Sequence, residues 1–317
     1  MRFPPLLAAL LLFLVWSNTF VAAGLLVGAD HQAARFDWLS LTVARFATIF
    51  PVCVGYCLVR WRQSAAVLRA HGGRAALGGL LAVPGYNTAL YWGQQHGVPA
   101  PIASLTTALL PLFVVALAAL FLRERLTARR LVALAVSLTG MGLIALAHRG
   151  GEPGEHPAAV AVTALAPLSW ALFTVLSKPV SGRVPPLLWT YLCIAIGTAP
   201  LMLVLPFRGG PELRALDATG WGALLFLSLL ATLVGFAAWT WLLGQLPATT
   251  VGLTVFFNPP LTALSKAALA AAAPAVFRFA VAPLEWVGGA VALTGLAIAV
   301  LGVRPSAPPP AGTPRSR

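Results

Sequence analysis

The sequence predicts an all-α integral membrane protein, ten transmembrane helices arranged as two inverted five-helix repeats, and three observations carry that prediction. The 317 residues are 59% apolar and only 9% charged, with a mean hydropathy of +0.87. Soluble chains run near 45 to 50% apolar and about 25% charged, so a soluble fold is excluded. The apolar runs have the length of membrane helices, about 20 residues for a roughly 30 Å core, rather than the ~10 alternating residues of a barrel strand. Finally, the two halves of the chain carry the same landmarks in the same order.

Taken in order, spans are expected near 5–27, 37–59, 75–96, 100–122, 130–147, 158–178, 186–205, 219–243, 248–271 and 284–303. Between them lie helix breakers: Pro99 and Pro101, the Gly150 to Pro157 stretch, Pro185 and Pro186, and Pro247. The first repeat is placed at 1–151 and the second at 152–304. Residues 305–317 form a Pro-rich tail expected to be disordered and cytoplasmic.

Orientation follows from where the basic residues fall, since Lys and Arg concentrate in short cytoplasmic loops. Ten spans put both termini on one side. That side collects fourteen Lys and Arg and the other five, with Arg45 and Lys266 inside spans. Both termini are therefore expected in the cytoplasm. The same asymmetry explains the formal charge of +13, which in a soluble chain would suggest nucleic acid; no basic block is interleaved with exposed aromatics here. A cleaved signal peptide at Ala22-Ala23-Gly24 is the rival reading of the first span, but its apolar run is long for that role. Cys53, Cys57 and Cys193 are read as small buried hydrophobes rather than as disulfide partners or metal ligands.

The repeat is visible residue by residue. Pro99-Ala100 leads through Ser104, Thr106 and Thr107 to Pro111, and Pro247-Ala248 leads through Thr249, Thr250 and Thr254 to Pro259, twelve residues in each case. Aromatic span ends precede both, Tyr91-Trp92 and Trp239-Thr240-Trp241. Leu138-Thr139-Gly140 matches Leu293-Thr294-Gly295, and Trp16 matches Trp170. A five-span unit inverts its copy, the usual plan of a transporter with a site at the repeat interface.

On these residues the chain resembles the EamA-type transporters of the drug/metabolite transporter superfamily. The carriers are Trp16-Ser17-Asn18-Thr19-Phe20, Ala44-Arg45-Phe46, and the stretch from Ala100 through Pro111 to Leu122-Arg123-Glu124-Arg125-Leu126 and Gly140. The second half departs from the pattern between Ala270 and Glu285. The resemblance implies a bacterial inner-membrane exporter of small metabolites, amino acids or related compounds, with a central cavity between the repeats.

Polar side chains inside spans are the default site candidates because lipid penalises them. Arg45 leads, with no acidic residue expected at its depth: a guanidinium without a carboxylate mate suits a substrate carboxylate or phosphate, and the competing reading has it bonded to backbone carbonyls as a structural lock. Asn18, Tyr86, Asn87, Tyr91, Thr106, Thr107, Thr174 and Asn258 add donors and acceptors, though Ser and Thr often only bond the carbonyl one turn back. Trp16, Trp92, Trp170 and Trp239 are candidate cavity walls, and Trp38, Trp61, Trp189 and Trp221 candidate belt residues. Pro111 and Pro259 are candidate hinges. Lys266 is expected to snorkel outward, and Glu124 to organise the arginines around it.

The eight acidic residues all fall in loops or span ends. No carboxylate is expected mid-membrane, which weakens a proton relay through Asp or Glu. No Walker loop is present, and no His, Ser or paired Asp set is placed at depth for an intramembrane enzyme. The expected partners are a small-molecule substrate and the bilayer, not nucleic acid, with the chain as monomer or homodimer and no cofactor. A scaffold or receptor without transport is the alternative.

Overall fold

The computed structural model describes residues 4–28, 35–98, 100–147, 157–208, 213–272 and 281–300. The Pro-rich tail and most of the departing stretch after Ala270 lie outside them. Among the described residues there is no β-strand, and the chain forms ten helical runs. These are α1 (Pro5–Val27), α2 (Trp38–Val59), α3 (Trp61–Leu80, Leu81–Gly85 and Tyr86–Gln95 in sequence), α4 (Ala100–Thr107 and Leu110–Leu122) and α5 (Ala128–Ala147). Then follow α6 (Pro157–Ser177), α7 (Pro186–Arg208), α8 (Ala218–Gln245), α9 (Ala248–Leu253, Thr254–Phe257 and Asn258–Ala272) and α10 (Pro283–Val300).

Eight runs are long and apolar enough to cross a membrane; α3 and α9 are the exceptions. Both are interrupted by polar residues, Asn87 and Gln94 in one and Thr249, Thr250 and Asn258 in the other. The stretch 60–74, expected as a loop, is helical instead: Arg60 alone makes the turn, and α3 starts at Trp61.

The helical defects recur at corresponding places. In α1 the helix breaks at Ser17 and Asn18, and α6 breaks at Ala164. α3 and α8 each contain a π-helical turn, Leu81–Gly85 and Phe226–Val234. α4 breaks just before Pro111, and α9 tightens to a 3₁₀ turn, Thr254–Phe257, just before Pro259. Each proline lacks the N–H that would bond the carbonyl four residues back, so the regular ladder stops there and restarts at the proline. α2, α5, α7 and α10 run unbroken.

Small residues set the closest packing. A Cβ added at Gly140 of α5 would collide with the Gly288 carbonyl and Ala292 of α10, and one at Gly295 with Ser137 and the Ala133 carbonyl. The matched Leu-Thr-Gly patterns are thus two sides of one interface, further joined by Ser137 Oγ donating to the Ala292 carbonyl at 3.0 Å. α3 meets α7 through Gly79 and Gly197 in the same way.

Two sequence expectations are corrected. Trp189 is not a belt residue: it is buried, and its indole donates to Ser177 Oγ at 3.0 Å, because α7 packs inside the bundle. Lys266 does not snorkel. It is 5% exposed and lies 3.7 Å from Glu285 of α10, itself 7% exposed, so a buried carboxylate at the start of α10 pairs with it. Trp61 and Trp221 do stand exposed at helix ends.

Candidate functional site

Arg45 lies seven residues into α2, about 10 Å from its start, and is 4% exposed. Its Nε donates to Thr232 Oγ1 at 2.8 Å and its Nη1 to Asn87 Oδ1 at 2.9 Å and to the Tyr91 hydroxyl. No carboxylate is among these partners. Both π turns supply this arrangement. Asn87 follows the turn in α3 and donates to the carbonyls of Ala82 and Val83 at 3.0 and 2.9 Å, which leaves its oxygen for Arg45. Thr232 lies inside the turn in α8 and donates to the Leu227 carbonyl five residues back at 2.7 Å, leaving its oxygen to accept from Nε. A π turn displaces the backbone ladder by one residue, which frees carbonyls for such uses. The competing lock by backbone carbonyls is not what holds Arg45; side chains do, from both halves of the chain.

Nη2 of Arg45 makes no hydrogen bond to the described residues, and it belongs to a side chain on the wall of a cavity. That cavity is lined from α1, α2, α3, α4, α6, α8 and α9, including Tyr86, Tyr91, Thr107, Trp170, Phe236 and Asn258. The room inside is about 50 Å³, enough for a few waters. Trp170 Nε1 and Asn258 Oδ1 are buried without a protein hydrogen-bond partner among the described residues. Groups of that kind cost about 1–3 kcal/mol each when left unpaired, and both residues line the cavity.

Aromatic rings make up much of one part of the cavity wall. Trp16 stacks on Trp239 at 5.6 Å and meets Trp170 edge-on at 5.5 Å, while Trp170 contacts Phe236 at 4.6 Å and Tyr86 at 5.4 Å. The indole N–H groups fix the stack: Trp16 donates to the Ala231 carbonyl in the α8 π turn at 3.0 Å, and Trp239 to Thr174 Oγ1 at 3.1 Å.

Seven of the residues expected at the site or on its wall therefore meet there: Trp16, Arg45, Tyr86, Tyr91, Thr107, Trp170 and Asn258. Asn87 and Trp239 stand one layer back, holding Arg45 and Trp16. The others are placed elsewhere. Thr174 is fully buried behind Trp170 and Trp239 and donates to the Trp170 carbonyl. Thr106 bonds the Ile102 carbonyl one turn back. Asn18 fills the α1 break, donating to the Leu14 carbonyl at 2.9 Å and across to Ser265 Oγ in α9 at 3.2 Å. Phe13, Thr19, Phe20, Leu90 and Phe236 were not expected on the wall; in an apolar span nothing marks them apart.

Away from the cavity, Glu124 is not an organiser of its neighbouring arginines. Its Oε1 accepts from Ala248 N at 2.8 Å, and its Oε2 from Thr249 N at 3.2 Å and Thr249 Oγ1 at 2.8 Å. It caps α9, where free N–H groups and the helix dipole favour a carboxylate. Lys178 does the reverse for α8, donating to the carbonyls of Leu243 and Leu246 at 2.6 Å each. Burial pulls its ammonium below the usual lysine range, and the Glu124 charge opposes that shift.

The model of the EamA-like transporter family matches residues 4–146 and 157–301. A protein of Streptantibioticus cattleyicolor named a probable terminal-alkyne amino-acid exporter is 30% identical over 91% of this chain and 91% of its own length. A Salmonella typhimurium protein named a probable amino-acid metabolite efflux pump is 26% identical over 93% of this chain and 94% of its own. A crystal structure at 21% identity aligns over 94% of this chain and 95% of that one with a TM-score of 0.68, a likeness of fold. With nearly the whole chain matched, and a multi-helix membrane fold around a cavity that carries Arg45 on its wall, the protein is a membrane transporter of the EamA family.

Proposed function

We propose that the chain exports a small metabolite bearing an anionic group, an amino acid or a related compound, by alternating access between two inverted five-helix halves. The observation that carries this reading is Arg45. It is a buried guanidinium balanced by no carboxylate and held from both halves of the chain, with one nitrogen left for the cavity. An anionic substrate would complete it. Trp170 offers a further donor to the same anion, and Asn258 an acceptor for an amine, so both ends of an amino acid find partners among groups that otherwise lack them. The names of the relatives point the same way.

The matched breaks in α4 and α9 and the paired π turns support the inverted-repeat plan, with α3 and α9 as the remaining two of ten spans. The small cavity has to widen for a metabolite to pass, and helices broken at matched points are where such motion is cheapest. The fourteen-to-five bias in basic residues sets both termini in the cytoplasm of the bacterial inner membrane, and the chain works as a monomer or homodimer.

Liposomes loaded with radiolabelled amino acids should release them faster when they carry the purified protein than when they are protein-free, and Arg45→Ala should abolish the difference. Equal release from both would defeat the transport reading. A cytoplasm-only reporter fused after Arg317 should be active, and inactive when inserted between Gly150 and Pro157.

A further inference from the structure

The first part of α3 has no role in the cavity, yet its position is tightly defined. Tyr56 near the end of α2 packs against Tyr191 of α7, ring centroids 5.2 Å apart. Arg60 lies four residues further on, about 6 Å at the helical rise, level with the first turn of α7. On the other side, Gly79 of α3 is wedged between Cys193 and Gly197 of α7. His71 lies eight residues before it, about 12 Å back, and reaches the same level. Residues 61–70 are thus a helix with both ends in one plane, at the start of α7. They run across the start of α7 rather than on along the axis of α2. Both bends are present: Arg60 has φ −105° and ψ 32°, and His71 has φ −138° and ψ 18°, outside helical values.

The faces of this helix fit that placement. Ser64 is buried, donating to the Cys57 carbonyl at 2.8 Å, and Val67 packs on the core. Trp61 and Leu68, one face seven residues apart, are 60% and 37% exposed, and Leu58 and Val59 beside them are 65% and 84% exposed. Arg62 and Arg69 each follow one position later. Arg60 lies over the Tyr56 ring at 5.1 Å and Arg62 over Trp61 at 5.5 Å. Between Asp37 and Glu124 the sequence contains no acidic residue, and among the described residues no carboxylate pairs with Arg60, Arg62, Arg69 or Arg74.

We propose that residues 61–70 lie in the membrane interface, with Trp61 and Leu68 among the acyl chains, and that Arg60, Arg62, Arg69 and Arg74 bind anionic phospholipid headgroups. Four cations without counter-ions, set beside an exposed tryptophan, match a phosphate-bearing surface in charge and an interface in polarity. The guanidinium forks can take phosphate oxygens in pairs.

The test uses the full chain in nanodiscs of phosphatidylcholine alone or mixed with phosphatidylglycerol. The wild type should melt several degrees higher with phosphatidylglycerol, and salt should shrink that gain. R62Q/R69Q/R74Q should melt like the wild type in phosphatidylcholine and lose most of the gain, while R125Q on another loop should keep it. Retention of the full gain by the triple variant would overturn the proposal. So would an equal gain from inorganic phosphate added to phosphatidylcholine discs, which would make the ligand a free anion. A second measurement needs no charge change. Bromines carried high on the acyl chains, near the headgroups, should quench wild-type fluorescence more than that of Trp61→Phe, and bromines at the chain ends should not distinguish the two. Identical quenching profiles would place Trp61 in water and end the interfacial assignment.

Discussion

Glu124, on the loop after α4, accepts hydrogen bonds from the backbone N–H of Ala248 at 2.8 Å and so fastens the first half of the chain to the first turn of α9 in the second. Lys178 grips the α8 end of the same connection. The pair clamps the α8–α9 corner, the connection between two helices that both line the cavity. Glu124→Gln keeps one carbonyl acceptor and loses the charge, so it should lower stability by about 1 kcal/mol. It should also raise labelling of a cysteine introduced at Val255 by a reagent applied from the Glu124 side. Unchanged labelling would reduce Glu124 to a cap with no part in gating.

Arg45 offers the sharpest separation between binding and scaffolding. Lysine in its place keeps the charge but cannot satisfy Thr232, Asn87 and Tyr91 while presenting a further donor to the cavity. Arg45→Lys should bind substrate at least about tenfold more weakly, roughly 1.4 kcal/mol, with a small loss of melting temperature. Melting and binding measured on the same purified sample decide the matter; a destabilised protein with wild-type affinity would make Arg45 structural.

How far this was legible in the sequence depends on the range of the interaction. Arg45 stands out because a charge in an apolar run has few explanations, and Asn87 and Tyr91 could be placed beside it as polar residues of a neighbouring span. Thr232 could not. It lies in a featureless apolar stretch whose π turn has no proline to mark it, unlike the turn at Pro84. The Leu-Thr-Gly repeat was visible, but not that Gly140 and Gly295 line opposite sides of a single interface. Glu124 and Lys266 misled for a common reason: their nearest charges in sequence are arginines or none, whereas their partners lie in α9 and α10, brought close only by packing.

Lys266 and Glu285 form the buried ion pair of the α9–α10 contact, 3.7 Å apart. Removing Glu285 takes from the buried Lys266 its carboxylate partner in a low-dielectric site, while removing both leaves no such ammonium. Glu285→Leu alone should therefore cost about 3 kcal/mol, and K266M/E285L should recover much of it. Equal losses in single and double variants would show that Glu285 answers to other groups, among them the Ala282 N–H it already accepts from at 3.0 Å.

Pro111 lies at the start of the second segment of α4 and Pro259 at the start of the third segment of α9, and neither can donate to the carbonyl four residues back, at Thr107 and Val255, both on the cavity wall; the Val255 carbonyl accepts instead from the Asn258 N–H. The breaks lie beside the cavity in both halves, where a change of helix direction would widen one end and narrow the other. Alanine at Pro111, or alanines at Pro259 and Pro260 together because Pro260 carries the same defect one residue on, supply the missing N–H groups and remove the rings that block a continuous helix. The expected result is a straighter, slightly more stable helix and transport slowed several-fold, with substrate affinity near that of the wild type because no cavity side chain changes. Pro111→Ala combined with Pro259→Ala/Pro260→Ala should be slower than the change in either half alone, since both halves would then resist the same motion. Transport at the wild-type rate in the combined variant would show that the helices bend elsewhere, with the π turns of α3 and α8 the next places to look.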